Sequence, residues 1–502
     1  MFLMILSLVP RLCPGKTVEI AALGMGSSAM RTGHVIVLDL GSSFLYGSID
    51  NNSTLFQLAH LEKLNLGDNH FNYSQIPSRV GDLSRLTHLN LSASVFSGQV
   101  PSEIFKLTRL VYLNLCRNVN VDTYLHRFLL RMEAPGLRSL AQNLTSLEEL
   151  LLCGVNMSSQ VPNTIANLSS LRRLDMDSCD LHGVFPSAIF HLPKLQYLRV
   201  PRNVHLTGSL PMFNSSSPLE ELKLFGTSFS GEIPASIGIL PSLSDLDVSF
   251  CEFSGSIPAS LANLSNLKVL VVSGNPFTAQ SISSISWVWT KKKLTYLALQ
   301  KINLYGEIPP SIGNLSQLEF LLLDYNQLSG AIPSQLMNLT RLTYLNLGSN
   351  RLSGSIPSWL MNMTQLVSLD LSVNKFHGEI PSSISQLQNL EDLCLFENNF
   401  SGTIELDNFH KFKHLETLQV SSNRLSSCMS SANLIIPQLT TLGLASCNLS
   451  EFPAFLQNQE DIEWLDLSDN NITGEVPFWV WDGRFKSMQH LNLSHNFLTG
   501  LD

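Results

Sequence analysis

The chain has 502 residues, 44% of them hydrophobic and 14% charged, and a formal net charge of -9. That length exceeds what one compact core holds, so the choice lies between several domains and one repeating array. The balance excludes a disordered polymer, and the mild acidity gives no general attraction for nucleic-acid phosphates or anionic lipid.

The chain opens on the apolar run Met1 to Val9, which resembles the core of a secretion signal but is short and lacks a preceding basic residue. Residues 10–33 carry neither helical nor strand periodicity, so 1–33 are set apart as a signal-like or poorly ordered segment. Gly15-Lys16-Thr17 imitates the end of a phosphate-binding loop, but Pro10 stands where that loop needs its first glycine. No uninterrupted apolar run reaches the ~20 residues of a membrane helix.

From Val35 onward one frame, L-x-x-L-x-L, recurs. It reads Leu61-Glu62-Lys63-Leu64-Asn65-Leu66, then Leu86-Thr87-His88-Leu89-Asn90-Leu91, and its 19 copies mostly start 24 residues apart. In each copy the fourth and sixth residues alternate into a core from a short strand, and the third, fifth and seventh point out. The ninth is often Asn, as at Asn69, Asn275, Asn326, Asn350, Asn374, Asn398, Asn423, Asn470 and Asn496. An inward amide there must bond the backbone of neighbouring turns. Cys179, Cys251 and Cys447 take the same place as buried thiols, and Val155 and Ile302 break the ladder. An apolar residue follows two places on, then Gly and often Ile-Pro, as in Leu352-Ser353-Gly354-Ser355-Ile356-Pro357. The next stretch, such as Ser358 to Met363, is expected to be a short helix or 3₁₀ turn.

This is a leucine-rich repeat, and it predicts an α/β repeat fold: a right-handed, curved, superhelical solenoid with a parallel concave sheet and short convex helices or 3₁₀ turns. The repeat domain spans 34–502 with about 19 repeats, the last incomplete. Two steps are irregular. Leu110 to Leu147 is 37 residues, with an insertion near 120–142 whose segment Tyr124 to Arg131 is expected to form an amphipathic helix on the edge or a lid. Leu267 to Leu294 holds three extra residues around Trp287, Trp289 and Lys291-Lys292-Lys293, a triplet expected to be a solvated turn.

Catalytic and metal signatures are not found: no HExxH, GxSxG or CxxC occurs, and His and Cys never take zinc spacing. The expectation is a binding protein with no cofactor or metal. Of the eight cysteines, Cys116 and Cys153 share the outward seventh position of adjacent repeats, where a bond is conceivable and undecided. Among many N-x-S/T sequons, Asn143, Asn167, Asn263, Asn314, Asn338 and Asn362 fall four residues before a repeat's first leucine. Glycans there would line one flank and leave the sheet open, or these Asn simply cap the convex turn. At Asn90 and Asn492 a glycan would obstruct the concave face. The candidate ligand residues on that face are Tyr197, Arg199, Arg202, Lys223, Phe225, Asp247, Phe250, Phe320, Asp324, Tyr325, Tyr344, Asn346, Phe396, Trp464 and Asp466, and the exposed aromatics and arginines among them are types enriched at interface hot spots.

The segment Leu342-Thr343-Tyr344-Leu345-Asn346-Leu347-Gly348-Ser349-Asn350-Arg351-Leu352-Ser353-Gly354-Ser355-Ile356-Pro357 resembles the plant-specific class of extracellular leucine-rich repeats. The stretches Leu38 to Ile49, Phe71 to Pro77 and Leu299 to Pro309 are similar to plant receptor-like proteins of the wilt-resistance and leaf-mould-resistance type. The resemblance implies a kinase-less cell-surface receptor in defence signalling, on the extracellular face of the plasma membrane. Its ligand would be a peptide, protein or glycan, and its partner a membrane receptor kinase acting as co-receptor. The family also carries a cysteine-paired cap and a membrane helix. Gly24 to Arg31 holds neither Trp nor paired Cys, and the sequence stops inside a repeat at Asp502. Rival expectations are a secreted inhibitor of microbial wall-degrading enzymes, the ectodomain of a receptor kinase, or a non-functional truncated copy.

Overall fold

Every copy of the frame places one short strand, from Val35–Asp39 and Lys63–Asn65 to Trp464–Asp466 and His490–Asn492. A computed structural model describes residues 27–29, 34–120, 128–214, 217–429 and 436–501. Its described residues form two compact units: one reaches Gly208 and adds Ser217–Leu219 and Gly226–Ser228, and the other holds Glu220–Phe225 and continues from Phe229.

In the first unit seven repeat strands, Val35–Asp39 to Tyr197–Arg199, pair in parallel and in phase, leucine against leucine: Leu38 faces Leu64, which faces Leu89. Ser27–Ala29, in the stretch read as lacking periodicity, pair antiparallel with Val35–Asp39. The second unit repeats the parallel arrangement over twelve strands, Glu221–Lys223 to His490–Asn492. Parallel strands of this kind need a long return, and most repeats supply it with a 3₁₀ turn. Ser334–Asn338 and Ser358–Asn362 are examples, each preceded by a proline whose fixed φ, -68° at Pro333 and -72° at Pro357, starts the turn. The expected convex turns are thus present.

The core of each unit is the stack of inward leucines, nearly all of them buried, with Leu40 in the first repeat and Leu491 and Leu493 in the last partly exposed. Burying one such side chain stabilises by roughly 1.5–3 kcal/mol, and only a neighbouring repeat provides the burial. The ladder asparagines satisfy the backbone beneath. Asn326 donates to the carbonyls of Leu299 (2.7 Å) and Leu323 (2.9 Å), and its Oδ1 accepts the N–H of Leu304 at 3.0 Å. Asn118 and Asn203 do the same in their own repeats, though neither was singled out in the sequence. Cys251 replaces the amide with one weak donor, to Leu224 O at 3.2 Å.

Four features depart from the sequence reading or settle what it left open. The residues after the ladder position form a second parallel sheet, with the run Leu304–Glu307, Gln327–Gly330, Arg351–Gly354 and Lys375–Glu379 in the second unit. The segment Tyr124 to Arg131 is not a helix where it is described. Val119 bridges antiparallel to Phe128, Leu130–Arg131 pair with Gly98–Gln99, and 121–127 lie outside the described residues. The helix of this repeat is Gly136–Asn143, whose buried Leu137, Leu140 and Ala141 recur at helical spacing. Third, Cys116 and Cys153 form a disulfide across this longer repeat. Fourth, Lys291 is buried rather than solvated. It stands where other repeats carry leucine, such as Leu264 and Leu315, and its Nζ donates to the carbonyls of Ala262 and Leu264. Burial holds its pKa below the ordinary lysine value.

Candidate functional site

The strand face not used by the core presents the third, fifth, seventh and eighth residues of each frame. The fifth position is largely committed to the fold. An Asp or Asn there accepts the N–H two residues on, as Asp247 does from Ser249 (3.1 Å) and Asp370 from Ser372 (2.9 Å). In the first unit these side chains also link up: Asn65 Nδ2 donates to Asp39 (2.7 Å) and Asn90 Nδ2 to Asn65 (2.8 Å). The Asn90 sequon therefore points onto the strand face, as expected, and its amide is already engaged.

The eighth position turns the chain through the left-handed region, with φ 54° at Arg202, 50° at Phe250 and 53° at Tyr325. That region is costly for large side chains, and here it throws them outward. Phe250 is 62% exposed and Tyr325 65%. Gly274 takes this place in the next repeat, and a Cβ on it would lie 2.6 Å from the Phe250 ring.

In the first unit, Tyr197 lies beneath the Arg173 guanidinium, 4.4 Å from the ring centre. Arg199 pairs with Asp175 at 3.6 Å, and Arg202 grips Asp177 and Ser178 through Nε at 2.9 Å each. In the second unit, Lys223 pairs with Glu221 at 3.5 Å. Asp247 has its carboxyl pushed up by burial, against the downward pull of Ser249 and Lys223. Phe225 and Phe396 are half-buried on the same strands' face, and Trp464 stacks on His490 at 5.3 Å.

The largest aromatic feature was only partly foreseen. Tyr296, Phe320 and Tyr344 occupy the third position of three successive repeats and stack in a row, with ring centres 4.9 and 4.6 Å apart. Tyr296 was passed over in the sequence, although its place in the frame gave the signal. Burial, helped by Asp247 and Asp324, raises the pKa of the Tyr296 hydroxyl. Asp324 is buried, and its carboxyl too is pushed up by desolvation, with Asp370 adding to the rise. Cys394, a half-buried thiol on the strand Asp392–Cys394, is pushed up to about 12 by burial and is a poor nucleophile. Among the described residues no group of three His, Cys, Asp or Glu could hold a metal, and no helix is long and apolar enough to cross a membrane.

Away from this face, Asn143, Asn167, Asn263, Asn314, Asn338 and Asn362 share one environment. Each is the last residue of its helix or 3₁₀ turn, and each is exposed.

Fold and site together define a leucine-rich-repeat protein with an open strand face. A leucine-rich repeat region model matches residues 259–473, and a leucine-rich repeat model matches 170–192 and 242–264. The chain's homologues are plant receptor-like proteins. Receptor-like protein 6 of Arabidopsis thaliana is 38% identical over 217 residues, 43% of this chain and 21% of that protein. Receptor-like protein Cf-9 of Solanum pimpinellifolium is 37% identical over 214 residues, 42% of this chain and 24% of that one. The matched segment thus spans about a fifth to a quarter of these relatives' length. Among solved structures, the Arabidopsis receptor kinase HAESA, in complex with the peptide hormone IDA and the co-receptor SERK1, matches with a TM-score of 0.61. The identity is 29%, over 95% of this chain and 89% of that one. The resemblance to plant receptor-like proteins and the leucine-rich-repeat solenoid stand on these findings.

Proposed function

We propose that the chain is the extracellular recognition part of a kinase-less plant receptor-like protein at the plasma membrane, acting in defence signalling. Its strand face takes a peptide or protein ligand, a glycan being the alternative. The bound receptor then engages a membrane receptor kinase as co-receptor, as HAESA's structure pairs a receptor with a co-receptor. The observation that carries this reading is the division of labour on the strand face. The fifth position is tied to the backbone, whereas large aromatic side chains at the third and eighth positions project outward with no role in the core. Rigid exposed aromatics are the side chains that carry interface energy.

Asp247, Asp324, Tyr325 and Tyr344 with Lys223, Phe225, Phe250, Phe396 and Trp464 make the recognition surface of the second unit, and Tyr197, Arg199 and Arg202 that of the first. The six exposed turn-ending asparagines carry glycans and leave the strand face open. The test uses peptides selected from a displayed random library against the full chain. Replacing Phe225, Tyr325 and Tyr344 together with Ala is expected to weaken the selected peptides by about tenfold or more while leaving the melting transition intact. Tyr197→Ala reports separately on the first unit. Unchanged affinity in both variants contradicts the reading.

A further inference from the structure

The strand face of the second unit changes character over four consecutive repeats. Its third position runs Glu221, Asp245, then Val269, Tyr296, Phe320 and Tyr344, then Ser368 and Asp392. Its fifth position runs Lys223, Asp247, then Val271, Ala298 and Leu322, then Asn346 and Asp370. The strands pair in phase, so the four apolar residues at the third position form one row and the three at the fifth form a second. Residues two apart on a strand share a face, so the two rows make one apolar patch. Ala298 is buried, and the other six side chains are half-buried and reach solvent.

The fold does not require this patch. Rings stacked across strands can serve the sheet itself. The aliphatic run at the fifth position has no such role, because that position elsewhere holds an acceptor for the backbone. Asp247, Asn346 and Asp370 take the N–H two residues on, at 3.1, 2.9 and 2.9 Å. Val271, Ala298 and Leu322 have no acceptor to offer there. A contiguous apolar patch with a polar rim marks an interaction surface.

The rim is acidic at both ends. Asp245 pairs with Val269 on one side, and Asp392 stands past Ser368 on the other. Both are partly exposed. Beside Asp392, the Glu391 carboxyl is pushed up by burial and then by Glu416 and Asp392, against the pull of His414. No glycan acceptor stands among the outward residues of the patch and its rim. Their one asparagine, Asn346, is followed by Leu347-Gly348.

We propose that this patch is the docking floor for an extended peptide segment with apolar side chains at its centre and a lysine or arginine on each side. This rests on the peptide-recognition reading above and adds Val269, Val271, Tyr296 and Leu322 to the surface. The apolar rows cover three strand steps, about 14 Å, the reach of about four extended residues. Asp245 lies one step before them and Asp392 two steps after, so the whole span takes about eight or nine residues. Apolar carbon drives association by leaving water, and the carboxylates at the two ends set the register of a basic partner.

The experiment uses the full chain and peptides selected on it from a displayed random library, with their location read by hydrogen exchange. The selected peptides are expected to share a short apolar run flanked by lysine or arginine. Val271→Asp reproduces the sequence Asp247-Val248-Ser249 of the preceding repeat, and Leu322→Asn gives its repeat the residue that Asn346 supplies in the next. The double variant should therefore melt at or above the parent temperature and bind the peptides about tenfold or more weakly. Asp245→Asn with Asp392→Gln should weaken them less and flatten the salt dependence. Thr417→Ala, on the same strand face beyond the rim, should change nothing. Unchanged affinity in the Val271→Asp, Leu322→Asn variant overturns the docking floor, and so does a melt well below the parent, which would make the apolar run structural. Peptides that map to other repeats of the strand face overturn the floor and leave peptide recognition standing. Peptides that ignore the strand face altogether overturn both.

Discussion

A single ladder residue shows how the sequence sets the fold. Asn326 bonds the backbone of its own repeat and of the one before it, so removing its amide strands polar groups in the core. Asn326→Ala is expected to lower stability by about 1–3 kcal/mol, read as a shifted urea midpoint. Asn326→Cys should cost less, because Cys251 in the same position keeps one bond. The same physics explains what was legible. A frame position fixes whether a residue points in or out, so the nine named asparagines were readable; Asn118 and Asn203 occupy the same frame position and went unnamed. Whether a polar residue is satisfied depends on its neighbours in space, so the unpartnered Oδ1 of Asp324 and the burial of Lys291 were not readable. Asp247, Asp324 and Asp370 have carboxyls raised above the unfolded value by desolvation. In the window between the unfolded and folded pKa the native state binds more protons, so their effect is to lower stability as pH rises through it. Asp324→Asn is therefore expected to melt at or above the parent temperature at pH 7, with the difference shrinking near pH 4. A variant that melts well below the parent at pH 7 would show that Asp324 is structural.

At the scale of the element, the long repeat between Leu110 and Leu147 is the informative case. Its irregular length is plain in the sequence, where Tyr124 to Arg131 is the segment expected to be helical. The helix formed instead at Gly136–Asn143, where Leu137, Leu140 and Ala141 face the core in place of a 3₁₀ turn. The repeat resumes at Leu130–Arg131 by pairing with Gly98–Gln99, a register that only the neighbouring repeat dictates. The second parallel sheet was missed for the same reason: strands of two to seven residues interrupted by glycine carry little local signal. The disulfide Cys116–Cys153 closes a separation of 37 residues around this repeat. Replacing both cysteines with Ser is expected to cost about 2–4 kcal/mol, measured as the gap between parent and variant melts under oxidising conditions, and to leave no gap once the parent is reduced.

For the whole molecule, stability is a sum of interfaces between neighbouring repeats, so the fold places few demands on the outward strand positions. This is why recognition residues can vary on an unchanged frame, and why fold class was far easier to read than ligand. The glycan pattern belongs to this scale as well. Enzymatic removal of N-glycans from protein made in plant cells is expected to release sugar from Asn143, Asn167, Asn263, Asn314, Asn338 and Asn362, read as site-specific mass changes. Asn90, whose amide bonds Asn65, is expected to remain bare.

The most direct test of the central claim is hydrogen exchange of the full chain with and without a peptide selected on it. Backbone amides report local opening, and a bound ligand slows it where it sits. The account predicts protection concentrated on the strands Tyr296–Ala298, Phe320–Leu322 and Tyr344–Asn346, with the turns Pro310–Asn314 and Ser334–Asn338 unchanged. Protection confined to those turns, with the strands unaffected, would contradict it.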